Sequence, residues 1–372
     1  MNIMAETFAP GEFLREEIET RGWTQIELAE IIGRPTRLVN EIISGKRAIT
    51  PETAIQLGDA LGTGPELWMN LESQYQLSKV TVKNNLIARR SFLYTRFPVR
   101  EMIKRKWVDG SENIEVLEQQ FRQFFGISSI DSDPSFLHAA KKSSAYSEAT
   151  MQQMAWLFRA KAVAAECVLK RYKTEYLRNA LSKISALLVS PEEARHAVRI
   201  LAECGVRLIF IEHLSGSKID GACFWLSDYQ PVIAMSLRLD RIDNFWFVLR
   251  HEIEHVLQGH GRELEFILDQ DLEGGVIDKQ IETEEQLANQ AAADFCVPKN
   301  ELDDFISRVT PYFSEQRVCL FAQRLGIHPG LVVGQLQRKL NRYDFLRKHQ
   351  VKIRDIVIKS APVDGWGFIE KF

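Results

Sequence analysis

Apolar residues recur at helical spacing over the first eighty positions of the chain. In PGEFLREEIETRG, Phe13, Leu14 and Ile18 share one stripe, and Gly22 ends it. TQIELAEIIG opens on Thr24 with Glu27 three residues on, a capping-box pattern, and stops at Gly33. RPTRLVNEIISG has Pro35 near its start and stops at Gly45. TPETAIQLGDALG offers Thr50 as a cap and Pro51 at the first helical position. GPELWMNLESQYQL closes the series. Five short helices with glycine-marked turns predict an all-α domain over residues 1–80.

The helical pattern continues to about residue 200, broken at VDGSEN and ISSIDSDPS. Residues 81–150 read as a helical basic linker and support region. From residue 205 the texture changes. VRLIFIEHL, GACFWL and PVIAMS are short β-branched or aromatic runs split by Gly, Pro and Asp, which predict a small three-stranded sheet. A helix follows from about Asn244, then a polar acidic loop, then a helix that stops before Pro298. Residues 151–345 therefore form a second domain, and 346–372 a tail without a clear signal. The fold class is α+β, mostly helical.

A chain of 372 residues is long enough for two or three domains. Its net charge of −3 advertises neither nucleic acid nor membrane, but the distribution is uneven. Residues 1–78 are acidic on balance. Residues 79–106 carry Lys79, Lys83, Arg89, Arg90, Arg96, Arg100, Lys104, Arg105 and Lys106 against Glu101 alone, either a positive field for DNA or a solvated helix face. Five scattered cysteines without a CxxC pair argue against a disulfide framework and a cysteine zinc finger. With no signal-peptide core and no apolar run of membrane-spanning length, a cytoplasmic protein with no membrane partner is expected.

A helix-turn-helix needs a small residue facing its first helix, a glycine in the turn and an apolar anchor in its second. Ala29, Gly33 and Val39 meet that spacing. The second helix would then expose Thr36, Arg37, Asn40 and Glu41. Arg can bond guanine bidentately and Asn can bond adenine likewise. Lys46 and Arg47 stand where a loop meets phosphates, and Gln25 can reach one from the start of the first motif helix. A weak echo, Ala322, Gly326 and Val332, recurs near the C-terminus without polar reading residues. The stretch from PGEFLREE through TQIELAE, VNEIISGKRAITPETA and ALGTGPELWMNL resembles the HigA-type antitoxin branch of the Xre helix-turn-helix family. That resemblance implies operator DNA as partner, a homodimer, and Thr36, Arg37 and Asn40 as recognition positions. Pro35 stands where many members have Ser or Thr.

The second candidate chemistry lies in LRHEIEHVLQGH. Residues four apart share a helix face, so His251 and His255 can hold one metal ion. Glu252 points about 100° away from His251, toward the ion's water, as a general base. A catalytic zinc site needs a third ligand and an open position. Glu285, on a downstream helix with a small face at Ala288, Asn289 and Ala292, can supply it; Glu282 and Glu284 are competitors. Glu254 reads as a solvated charge, His260 as a helix-end cap and His213 as structural. FWFVLRHEIEHVLQGH followed by EEQLANQAAADFCVP resembles the ImmA/IrrE family of zinc metallopeptidases, over about residues 150–340. The resemblance implies a zincin-like domain, Zn2+ as cofactor, His251, His255 and Glu285 as ligands and Glu252 as general base. Ala291 and Cys296 depart from the family at packing positions.

Together these features lead to the expectation of a DNA-binding regulator with a zinc endopeptidase domain. Its protein substrate would be a transcriptional regulator or antitoxin in a toxin–antitoxin, prophage or stress circuit, with a toxin as a further partner. The alternative is a non-enzymatic antitoxin-type repressor whose metallopeptidase fold is a binding or sensing platform.

Overall fold

The computed structural model describes residues 8–79, 85–134, 149–262, 267–270 and 279–369, without the side chains of 267–270, 279–282 and 368–369. The chain divides into two compact units, Met1–Leu86 and Ile87–Phe372.

The first unit contains five helices among its described residues: α1 (Pro10–Arg21), α2 (Gln25–Ile31), α3 (Thr36–Ile43), α4 (Pro51–Leu61) and α5 (Pro65–Lys79). The caps foreseen from sequence set the boundaries. Thr24 Oγ1 accepts from the Glu27 amide at 3.2 Å, and the Thr24 amide donates to Glu27 Oε2 at 2.6 Å. Gly22 and Gly62 end α1 and α4 in the left-handed conformation, at φ of 66° and 71°. The apolar stripes then meet. Leu14, Leu28, Val39, Leu57 and Trp68 are fully buried, and each such side chain stabilises the unit by roughly 1.5–3 kcal/mol. Gly11 lets α1 touch the backbone of α3, since a β-carbon there would lie 2.3 Å from the Ile42 carbonyl oxygen.

The second unit opens with α6 (Leu86–Arg96), α7 (Val99–Lys104), α8 (Ile114–Phe125) and α9 (Met151–Glu166). After α10 (Thr174–Ser185) and α11 (His196–Glu203) come β1 (Arg207–Ile211), β2 (Ile219–Trp225) and β3 (Pro231–Met235). Then follow α12 (Ile242–Gln258), β4 (Ile267–Gln270), α13 (Lys279–Cys296), α14 (Lys299–Val309), α15 (Glu315–Leu325) and α16 (Pro329–Leu340). The chain ends with α17 (Arg354–Val357), β5 (Val363–Gly365) and β6 (Phe368–Ile369).

The expected three-stranded sheet has six strands among the described residues, in the order β4-β2-β3-β1-β5-β6. β1 runs parallel to β3 and β5, while β2 is antiparallel to β3 and β4. Alternate residues serve two cores. Leu208, Phe210, Cys223, Ile233 and Met235 pack with α12 and the C-terminal helices. Ile209, Ile211, Ala222, Phe224, Val232 and Ala234 pack with α6 to α9 through Leu93, Met102, Phe121, Phe125 and Trp156. Burial on both faces explains why these strands read as near-continuous apolar runs.

Two expectations change accordingly. The described part of 81–150 is a support layer over one face of the sheet. Three of its arginines are engaged within the unit: Arg89 with Glu118 at 2.6 Å, Arg96 with Asp133 at 2.6 Å, and Arg105 with the Glu212 and His213 carbonyls at 2.6 and 2.5 Å. These arginines therefore do not form an open positive field; Lys83 lies outside the described residues. The tail is part of the sheet. Phe210 and Ile211 pair with Val363 and Asp364, and buried Asp364 takes Trp107 Nε1–H at 3.2 Å and pairs with Arg159. The C-terminal echo forms a helix, a left-handed Gly326 (φ 68°) and a helix, with Ala322 and Val332 buried. Among the described residues no helix is long and apolar enough to cross a membrane.

Candidate metal centre and DNA-reading helix

α12 is held by its apolar residues. Phe245, Trp246, Leu249, Ile253 and Val256 are buried in the core, which fixes the rotation of the helix and places His251, Glu252 and His255 in the interior, each fully buried. α13 packs along it through the small residues Ala288 and Ala292, both buried. This close approach brings Glu285 to the two imidazoles, as its spacing suggested.

His251 Nε2 and His255 Nε2 are 2.9 Å apart, and Glu285 places Oε2 3.3 Å from the first and Oε1 3.5 Å from the second. Metal bonds of about 2.0–2.1 Å at tetrahedral angles put neighbouring donor atoms about 3.3 Å apart. The triangle is therefore of the right size and donor set for a zinc-type ion. Burial, then His251 and His260, push His255 well below the usual imidazolium range, so its ring stays neutral and can donate a lone pair.

His260 is more than a helix cap. Its Nδ1 lies 3.0 Å from His255 Nδ1, and its Nε2 lies 3.7 Å from Glu284 Oε2. A His255 that offers Nε2 to a metal carries its proton on Nδ1 and donates it to His260. His260 then carries its own proton on Nε2, facing Glu284. One tautomer assignment thus satisfies the whole row. The His260 carbonyl in turn accepts Trp225 Nε1–H at 2.7 Å, which anchors the row to β2. Glu254, expected to be solvated, is instead paired with Arg250 at 2.7 Å along the helix. Glu284 does not join the ligand triangle among the described side chains, and the Glu282 side chain lies outside them. His213 follows β1 and is held below its usual range by burial and Arg105.

Gly221 on β2 escaped the sequence reading. A β-carbon there would lie 2.5 Å from Glu252 Oε1 and 2.8 Å from Val248 Cγ1. Its bare backbone creates the room for the Glu252 carboxylate. A glycine inside an apolar strand was the available signal.

In the first unit Ala29 and Val39 are buried and Gly33 turns the chain at φ 65°. Thr36, Arg37 and Asn40 are exposed on α3, Lys46 and Arg47 are exposed on the following loop, and Gln25 is half-buried at the start of α2. Glu41 links two of these. It accepts Arg37 Nε–H at 2.7 Å and Arg47 NH1–H at 3.2 Å. These bonds, Arg37 first, hold its carboxyl below the usual range.

Residues 14–68 match the family described as Helix-turn-helix. Over 76 residues the chain is 29% identical to the uncharacterized HTH-type transcriptional regulator YddM of Escherichia coli (strain K12), covering 20% of this chain and 81% of that one. It is 38% identical over 68 residues to antitoxin HigA-1 of Vibrio cholerae, where the match spans 18% of this chain and 64% of the antitoxin. Among solved structures, Pseudomonas aeruginosa antitoxin HigA with higBA promoter is 34% identical over 20% of this chain and 80% of that chain, with a TM-score of 0.19.

Proposed function

With its first unit a helix-turn-helix domain that has HigA antitoxins among its relatives, we propose that this chain is a DNA-binding transcriptional regulator that also carries a zinc-dependent endopeptidase domain. The DNA-binding half draws support from the named relatives and from the exposed row Thr36, Arg37 and Asn40, flanked by Lys46, Arg47 and Gln25. A homodimer on operator DNA fits this reading, and a toxin is a natural further partner.

The peptidase half rests on one observation: His251, His255 and Glu285 converge beside a fully buried Glu252 that is not one of the ligands. Burying a carboxylate is costly. A mere binding platform gains nothing from it, whereas a peptidase of the ImmA/IrrE kind needs it. His251, His255 and Glu285 would hold a zinc ion, which would supply an acidified water and a Lewis acid for the scissile carbonyl. Glu252 accepts the proton released in the attack and passes it to the leaving amine. Gly221 gives that carboxylate its room, while His260 and Glu284 hold the His255 tautomer. The substrate proposed is a transcriptional regulator or antitoxin of the same circuit.

A non-enzymatic antitoxin-type repressor is the second reading, favoured by the antitoxin among the relatives. Profiling of new protein N-termini in cells expressing wild type or Glu252→Gln separates the two. Cleavage sites present only with wild type support the peptidase; identical profiles leave the repressor.

A further inference from the structure

We propose that Glu315, Cys319 and His349 form a second divalent-metal site of the zinc type, separate from the His251, His255 and Glu285 centre. Glu315 and Cys319 are one turn apart on α15 and so share a face. His349 reaches them from the 3-10 turn Arg347–His349, thirty residues later in the chain than Cys319. His349 Nε2 lies 3.1 Å from Glu315 Oε1 and 4.0 Å from Cys319 Sγ, and all three donor atoms lie within 4.8 Å of one another.

These separations suit one ion. Zinc bonds of about 2.3 Å to sulfur and about 2.0–2.1 Å to nitrogen or oxygen, at tetrahedral angles, place S···N at about 3.6 Å and N···O at about 3.3 Å. Shifts of a few tenths of an ångström bring the two His349 separations, 3.1 and 4.0 Å, to these values, and the Cys319 thiol and Glu315 carboxylate, within 4.8 Å of each other, close on the ion by side-chain rotation. A thiolate, an imidazole and a carboxylate together select zinc-like ions over magnesium or calcium. All three residues are half-buried, which leaves a fourth position to solvent.

One group competes. Lys348 Nζ lies 2.7 Å from Glu315 Oε1, the oxygen that also faces His349. Its side chain is 65% exposed, so the ammonium can turn into solvent when an ion takes that oxygen. An exposed pair of this kind contributes little to stability.

The location gives the ion a structural task. The His349 carbonyl lies against α16, where a β-carbon on Gly330 would be 2.3 Å from it. Two residues on, the Val351 carbonyl accepts the amide of Ile242, the first residue of α12, at 3.0 Å. An ion held by α15 and His349 therefore fastens the segment that holds the start of α12.

Cobalt(II) titration of the metal-stripped full-length protein tests this. Only the second site contains a thiolate, so only it gives a thiolate-to-cobalt charge-transfer band in the near ultraviolet. Two equivalents are expected for wild type, with the band present. Cys319→Ser, a near-isosteric change, should lose the band and one equivalent while keeping the other. His251→Ala with His255→Ala should keep the band and lose the opposite equivalent. Absence of the band in folded wild type, or its persistence in Cys319→Ser, overturns the second site. Failure of the His251 and His255 variant to lose an equivalent instead counts against the first centre, so the two failures are distinct.

Discussion

Gly221 and Glu252 meet across β2 and α12 so closely that a single methyl group at 221 would come within 2.5 Å of the carboxylate oxygen. Gly221→Ala must therefore displace either the strand or the Glu252 carboxylate. Overpacking of this kind costs about 1–3 kcal/mol of stability. A shift of the carboxylate by about 1 Å lowers proteolytic kcat/KM on the order of 100-fold. The proposed ligands His251, His255 and Glu285 do not meet that methyl group, so metal content should stay that of wild type. Urea unfolding, metal analysis and cleavage kinetics check the three parts; an Ala variant with full activity would remove Gly221 from the site.

The row from His255 through His260 to Glu284 makes a second prediction. Partners of this kind typically contribute about 10–100-fold to metal affinity. His260→Ala should weaken zinc by that factor in a chelator-competition titration. Glu284→Gln should have a smaller effect, because its contact to His260 is the longer one, at 3.7 Å. Unchanged affinity in His260→Ala would return this residue to a helix cap.

On the DNA side, Arg37→Ala with Asn40→Ala should abolish the operator shift, each base contact being worth about 1–3 kcal/mol, and leave zinc content unchanged. Glu41→Gln should act in the opposite direction. It releases Arg37 and Arg47 toward phosphates, so non-specific affinity rises and the salt dependence steepens by about one to two ions. Fluorescence anisotropy over a salt series measures both. Weaker binding by Glu41→Gln would mean that Glu41 instead positions Arg37 for reading.

The metal-free protein should be acid-labile in a defined window. The folded state holds His255 below its ordinary value by burial, against about 6.5 in the unfolded chain. His213 and His328 are shifted the same way by burial. A depressed folded pKa contributes stability that is complete above about 6.5 and is lost as pH falls from there toward the folded value. The Tm of chelator-treated protein should thus fall below about pH 6.5, and less steeply in His255→Gln. A flat profile would show that His255 is not buried neutral.

The local parts of this molecule were readable from sequence. Thr24 with Glu27, Thr50 with Pro51, and Gly22, Gly33 and Gly62 act where their chemistry places them, because caps and left-handed turns are decided within a few residues. The i, i+4 pair His251 and His255 and the small face leading to Glu285 are of the same kind. What escaped depends on distant pairing. β5 has three residues and β6 two, too few for an alternating pattern, and β5 exists because β1 offers an edge some 150 residues earlier. The partners named for Arg89, Arg96 and Arg105 lie between 29 and 108 residues away, so a basic run could not be told from a basic surface. Gly221 and His260 matter through contacts with α12 that no spacing rule encodes.

The most direct measurement is cleavage of a candidate regulator by purified protein, followed by intact mass spectrometry, with metal content determined on the same samples. Wild type should produce two fragments that sum to the substrate plus one water, and Glu252→Gln should produce none while holding the same zinc at His251, His255 and Glu285. Equal cleavage by both proteins, or none by zinc-loaded wild type across the regulators encoded beside its gene, would contradict a peptidase built on Glu252.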